Sequence, residues 1–232
     1  MAMTEAQAQA KLQELYEMDQ EVPDTTDADY LTRRALLNTA IDAWDKEDLE
    51  WAELYTTLTA AADGTKTTTA STSAYSCPTD FRRPLGYLRV VTGTTSTYYR
   101  RLELAQVQLY ANDSSEYFYY VTGNPSAGYK VDIHPTPTDS GLTIDYDYYK
   151  VPTALTATTS KLEMSDPYYA IYFVLWKMFS NDGDPEQAQV AAAEMGNRLN
   201  LMKLQNLQIG SFQPETGLPD PYWDMEGAAF GK

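Results

Sequence analysis

The stretch SDPYYAIYFVLWKMF, Ser165 to Phe179, decides how the chain folds. Ser165 and Asp166 are helix-capping residues, and Pro167 fits a first helical turn because its missing N–H would find no intrahelical partner there. Tyr168, Ile171, Tyr172, Leu175, Met178 and Phe179 fall on one helix face, while Tyr169, Phe173 and Trp176 cover another. A helix that is apolar on two sides must be enclosed, so this segment is expected to be the core of a helical bundle. Lys177 interrupts it, and it is well short of the roughly 20 apolar residues a membrane-spanning helix requires.

Downstream, Gly183-Asp184-Pro185 ends this helix and starts another, in which Ala188, Ala192, Met195, Leu199 and Met202 keep a four-and-three register. Small alanines there permit close packing. From Gly210 to Lys232, Pro214, Pro219, Pro221 and several glycines rule out one regular element. This segment is read as an extended arm. Its Phe212, Leu218, Tyr222, Trp223, Met225 and Phe230 are apolar anchors that cannot build a core alone and are expected to bind a partner.

Upstream, from Thr65 to about Thr159, Thr, Ser and Tyr dominate and the apolar period shortens towards two, that of a strand. Leu142, Ile144, Tyr146 and Tyr148 alternate with polar neighbours, as do Tyr129, Val131 and Ile133, with Asp139-Ser140-Gly141 as a turn between the two runs. Tyr87–Thr92, Tyr98–Leu104 and Glu116–Thr122 are further strands. Before Thr65, Ala8, Leu12 and Leu15 mark a helix over residues 4–19 ended by Pro23. A second helix, capped near Thr26 or Asp27, is expected to carry Leu37, Ile41, Trp44, Trp51, Tyr55 and Leu58 on one face as far as Ala62, and Asp63-Gly64 stops it. The expected fold is therefore α+β: an antiparallel helical bundle with a large tyrosine-rich antiparallel β sandwich or barrel inserted between helices 2 and 3, plus the C-terminal arm. The parts are 1–64, N-terminal helical; 65–160, β insertion; 161–208, C-terminal helical, packing on the first; and 209–232, arm.

The chain has 232 residues, with 33 Asp and Glu against 17 Lys and Arg, for a formal net charge of −16. Phosphate binding is built on Lys and Arg, so this balance argues against a nucleic-acid or anionic-membrane surface. The amino terminus is rich in Gln and Glu and lacks the basic start and apolar run of a secretion signal, so an unexported protein is expected. Cys77 is the single cysteine, which leaves neither an intramolecular disulfide nor a CxxC metal site. His134 is the single histidine, at the end of a strand before Pro135, and no nucleophile is tied to it by spacing. Asp145 and Asp147 share a strand face, as paired glycosidase acids would, yet an acidic chain places such pairs on solvated faces without catalysis. No Gly-rich phosphate loop, HExxH or EF-hand spacing is present, so neither a catalytic, a metal nor a cofactor site is expected.

Two features remain. Arg82, Arg83, Arg100 and Arg101 cluster in the β region, where they either form local ion pairs or complement acidic surfaces of a neighbouring copy. The run Tyr117, Phe118, Tyr119, Tyr120 puts rings on both faces of a sheet, and Tyr117 and Tyr119 are as suited to a subunit contact as to a sandwich interior.

The order of these elements resembles the head-to-tail adaptor or connector proteins of tailed phages, of the podovirus tail tubular and head-completion type. The carriers are the helix pair closing at Gly64; Tyr75-Ser76-Cys77-Pro78-Thr79-Asp80-Phe81-Arg82-Arg83; Tyr148-Tyr149-Lys150-Val151-Pro152-Thr153-Ala154-Leu155-Thr156; and the helix starts Pro167-Tyr168-Tyr169 and Asp184-Pro185-Glu186-Gln187-Ala188. Cys77 departs from the larger apolar residue expected there. The resemblance implies a non-enzymatic homo-oligomeric ring, usually of twelve copies, at the head–tail junction of a virion and assembled in the host cytoplasm. Its partners would be the portal protein and a downstream tail or nozzle protein, with DNA passing through unbound. The rival reading is a carbohydrate- or receptor-binding tail module, and the most distant a glycoside hydrolase.

Overall fold

The computed structural model describes residues 2–16, 21–47, 50–58, 66–110, 112, 113 and 115–210, with side chains to Leu207. In chain order, β1 (Met3–Thr4) leads into α1 (Glu5–Tyr16) and α2 (Ala28–Glu47), followed by a 3-10 turn (Ala52–Leu54) and β2 (Tyr55–Leu58). Then come β3 (Ala74–Ser76), β4 (Phe81–Thr92), β5 (Thr95–Arg101), α3 (Leu104–Tyr110), β6 (Phe118–Asn124), β7 (Gly128–His134) and β8 (Thr143–Lys150). The chain returns through β9 (Lys161–Leu162), which pairs antiparallel with β1, to α4 (Tyr168–Asp182) and α5 (Pro185–Gly210).

The central helix is α4, against which α1, α2 and α5 all pack. Its start is held by Asp166, whose Oδ1 accepts the Tyr168 N–H at 3.0 Å. Its end is a left-handed Gly183, φ 76°, with its N–H on the Phe179 carbonyl. The next helix is capped in turn by Asp184, which accepts the Gln187 N–H at 3.1 Å. Leu12, Leu37, Ile41, Trp44, Tyr169, Ile171 and Val174 fill the interior. Each buried aliphatic side chain there contributes roughly 1.5–3 kcal/mol. Trp51 stacks on Trp44 with centroids 5.1 Å apart and donates its indole N–H to the Trp44 carbonyl at 2.9 Å.

The sheet runs β2-β8-β4-β5-β6-β7-β3. All neighbours are antiparallel except β5 and β6, which are parallel, and α3 lies in the crossover that a parallel pair requires. One segment reaches both sides of the sheet: Thr67 bridges Thr143 of β8, and β3 pairs with β7. The sheet thus curls into a half-barrel over Leu58, Phe81, Leu88, Tyr99, Tyr119, Val131, Ile133, Ile144 and Tyr146. The β6–β7 hairpin needs glycine at 123, where φ is 96° and a Cβ would meet the Gly128 carbonyl oxygen at 2.2 Å.

The architecture is the expected bundle with a tyrosine-rich β insertion, and the structure corrects several elements. The second helix stops at Glu47 rather than continuing to Ala62. Trp51 and Leu54 still fill the bundle core, but Tyr55–Leu58 is a strand on β8 and Leu58 belongs to the half-barrel. The four-and-three spacing misleads there because an inward position on a strand also satisfies it, and Thr56-Thr57 suits an open sheet edge better than a helix. The stop at Asp63-Gly64 lies outside the described residues. Leu104 opens α3 instead of ending a strand, and β4 begins at Phe81, six residues before Tyr87, bending at a register shift between Leu85 and Leu88. Asp139-Ser140-Gly141 does connect the two alternating strands, but they do not pair: β7 lies between β6 and β3, and β8 between β2 and β4.

Candidate assembly interface

The segment Tyr75–Arg83 is the joint between the two cores. Phe81 is buried among the Tyr129, Tyr146 and Tyr148 rings at 5.6, 6.2 and 5.6 Å. Its neighbours reach the other way: Arg82 pairs with Asp45 of α2, and Arg83 with Glu50 at 2.6 Å while lying 4.8 Å over the Tyr149 ring. Asp80 accepts the Tyr148 hydroxyl at 3.1 Å and, through its carbonyl, the Val151 N–H at 2.7 Å. Beyond Val151 the loop enters the bundle, where Asn38 donates to the Leu155 carbonyl at 3.1 Å and accepts its N–H at 2.7 Å. Lys150 and Glu163 pair across the same loop.

The other predicted contact residues flank α3. Arg100 pairs with Glu116 at 3.0 Å and lies 4.8 Å over Tyr110, and Arg101 pairs with Glu103 at 3.1 Å. All four arginines therefore have a carboxylate partner within the chain. Tyr117 is 45% exposed and meets Tyr99 edge-on at 5.4 Å. Tyr119 is fully buried in the half-barrel and donates to the Gly86 carbonyl at 2.8 Å, and burial raises its pKa. It presents no surface for a subunit contact. The aromatic run does put rings on both sheet faces: Phe118, on the side opposite Tyr119, packs against Tyr110 of α3 and stacks on His134 at 4.6 Å. The six arm anchors, Phe212, Leu218, Tyr222, Trp223, Met225 and Phe230, lie outside the described residues.

The chemically suggestive groups are held in structural contacts. His134 Nε2 is 3.0 Å from the Asp113 carbonyl oxygen. Asp145 pairs with Arg89 at 2.7 Å, and Asp147 accepts the Thr57 hydroxyl at 2.7 Å. Burial pushes the Cys77 thiol up to about 11, so little nucleophilic thiolate exists near neutral pH. Among the described residues no group of three or more His, Cys, Asp or Glu is placed to hold a metal ion, and no helix is long and apolar enough to cross a membrane.

What the sequence reading missed is the outer face of α5. Val190, Leu201, Leu204 and Leu207 are more than half exposed there, and α3 likewise presents Leu104 and Leu109. The signal was available in the spacing of Leu201, Leu204 and Leu207, which lies beside the register of half-buried Met195 and Leu199 and buried Met202.

No curated protein matches the chain. The profile of the SU10 adaptor protein family matches residues 3–214, which takes in the bundle, the joint and the half-barrel together. The chain belongs to that family, and is a structural head-to-tail adaptor of the phage virion rather than an enzyme.

Proposed function

We propose that copies of this adaptor close into a ring, of twelve subunits in the family's usual form, beneath the portal protein, and that the ring continues the DNA channel towards a downstream tail or nozzle protein. Subunits are made and assembled in the host cytoplasm. The observation that carries the channel reading is electrostatic. The net charge is −16, and the arginines of the β region, Arg82, Arg83, Arg89, Arg100 and Arg101, are each neutralised by a carboxylate of the same chain. Such a wall repels phosphates and lets DNA slide, where free Lys and Arg would hold it by counterion release. The joint supports the reading in a second way, since ion pairs and the Asn38 clamp fix the two cores to each other and a ring wall needs a subunit of fixed shape.

Arg100, Arg101 and Tyr117, grouped beside α3, are the proposed contact with the adjacent subunit, a heterologous surface of the kind that closes rings. The arm, through Phe212, Leu218, Tyr222, Trp223, Met225 and Phe230, is proposed to engage the portal or a neighbouring subunit in the assembled ring. Native mass spectrometry of the chain with and without portal tests the reading. A monomer alone and a ring of defined copy number with portal are expected, and a monomer in both samples would overturn it. Deletion after Ile209 tests the arm. Loss of portal binding is expected, and unchanged assembly would sink that part.

A further inference from the structure

The first helix is seated on the bundle largely through polar groups. The face that α1 turns inward carries Glu5, Gln9 and Gln13, one turn apart and 0%, 0% and 4% exposed, and its only fully buried apolar side chains are Ala8 and Leu12. By contrast, α4 buries Tyr169, Ala170, Ile171, Phe173, Val174 and Leu175. Opposite the polar stripe stands α2. Arg34 donates to Glu5 and Arg33 to Gln13, each at 2.6 Å, and Gln9 donates to the Tyr30 carbonyl at 3.3 Å. Glu5 Oε2 and Gln9 Oε1 are buried with no hydrogen-bond partner among the described residues. Such a seam fixes register closely but resists opening little. Water replaces its hydrogen bonds and supplies the two it lacks, whereas an apolar seam gains nothing from water. The other ties of α1 are short. β1 pairs with β9 over two residues, the Glu5 and Ala6 N–H groups reach the Ser160 and Thr158 carbonyls at 2.8 and 3.1 Å, and the Tyr16 hydroxyl donates to Asp182 while its ring meets Phe179.

We propose that residues 3–16 are an exchangeable strap, which in the assembled ring leaves its own bundle and occupies the same seat on the neighbouring subunit. The occupant follows from the seam itself. The α2 bank presents the Arg33 and Arg34 guanidiniums beside the Tyr30 carbonyl, and Glu5, Gln9 and Gln13 answer them in charge and register. The segment that fits a vacated seat is therefore the same segment of a second copy. Every contact broken within one chain is remade between two, so exchange keeps the contacts and adds a link between subunits. Residues 17–27 join α1 to α2, and at roughly 3.3–3.6 Å per extended residue they supply about 36 Å of chain for the crossing. Passed from each subunit to the next, the strap makes a head-to-tail contact that closes with the ring. The exchange rests on the ring reading, while the looseness of the strap belongs to the lone subunit.

Two measurements on the full-length chain test it. In hydrogen exchange of the lone wild type, the amides of α1 should exchange at least roughly tenfold faster than those of α2 and α4. Protection of α1 equal to that of α4 would overturn the proposal. In a C77S background, T4C with K161C puts thiols at directly opposed positions of the β1–β9 pair. Oxidised after assembly with portal, this variant should run on a denaturing gel as covalently linked dimers and longer ladders. Oxidised before assembly, it should lose ring yield roughly fivefold or more. A ring whose oxidised chains all run as monomers would overturn exchange and leave the ring standing, whereas absence of a ring from wild type and portal would overturn both. Q9L, which needs no engineered cysteine, replaces an unpartnered amide by apolar area. It should slow both the hydrogen exchange of α1 and the rate of ring formation by about threefold or more, and unchanged rates would overturn the proposal.

Discussion

The bundle and the half-barrel solve the same problem with different side chains. The bundle interior is mostly aliphatic, Leu12, Leu37, Ile41, Ile171 and Val174, groups that ask little beyond shape, around the Trp44–Trp51 stack. The half-barrel buries Tyr75, Tyr99, Tyr119, Tyr146 and Tyr148, and a buried hydroxyl must find a partner. Tyr119 donates to the Gly86 carbonyl, Tyr75 to the Thr72 carbonyl at 2.6 Å, and Tyr148 to Asp80. The bundle gathers its buried hydrogen bonds at the α1–α2 seam, where Gln13 accepts from Arg33 and Glu5 from Arg34, each at 2.6 Å, while the half-barrel carries them on the tyrosines of its interior, so the two should fail differently.

The largest effect belongs to the bundle. Trp44→Ala removes a fully buried indole and its stack, and should cost about 3–5 kcal/mol in denaturant unfolding. Because the joint couples the cores, both should still unfold in one transition. Arg82→Met tests that coupling directly. It leaves Asp45, mostly buried at the end of α2, without its cation, and should cost about 2 kcal/mol and separate the tryptophan and tyrosine signals into two transitions. A single coincident transition in Arg82→Met would show that the cores cooperate through some other contact. Tyr119→Phe keeps the ring and strands the Gly86 carbonyl, so a loss of about 1 kcal/mol is expected with the bundle signals unchanged at low denaturant.

Alkaline titration separates the regions by pH. Burial raises Cys77 from 9.0 to about 11 and Tyr169 from 10.0 to about 12, so each group keeps its proton in the folded chain after the unfolded chain has lost it. Stability from Cys77 is intact below pH 9 and falls between 9 and 11. That from Tyr169 falls between 10 and 12. Urea midpoints measured from pH 9 to 10 should therefore decline in the wild type and decline less steeply in Cys77→Ala, where the buried tyrosines still lose stability. The smallest effect is expected from Arg101→Ala, whose pair with Glu103 is exposed on both sides, and it should change stability by less than about 0.5 kcal/mol. A ring yield reduced in that variant while stability is unchanged would place Arg101 between subunits.

Much of the bundle was legible because its signals are local. The Asp166 cap, Gly183 and the two-sided apolar pattern of residues 168–179 are all set by neighbours in sequence. The half-barrel was legible as strands and not as an order of strands. Nothing near β8 in sequence says that it pairs with β2, about 90 residues earlier, or that the intervening Leu104–Tyr110 is a crossover helix. The same limit applies to the interface residues. The arginine cluster was visible, but whether Arg82 meets a neighbour or its own Asp45 depends on where α2 ends, and α2 ends at a point where a helical apolar register continues into a strand. Tyr117 and Tyr119 are two residues apart and would share a sheet face on one strand, yet their exposures are opposite, because β6 begins at Phe118 and Tyr117 lies ahead of it.

The pairing of β2 with β8 and of β3 with β7 also governs synthesis. Thr57 leaves the ribosome 90 residues before Asp147, its hydrogen-bond partner. At about 5–20 residues per second, that interval is on the order of 5–20 s. Neither core can close in the meantime, since the bundle too waits for α4 near the end of the chain. For that time the nascent adaptor presents unpaired strands and bare tyrosines, which makes the rate of translation, and any chaperone that meets the chain, part of what determines the yield of assembly-competent subunits.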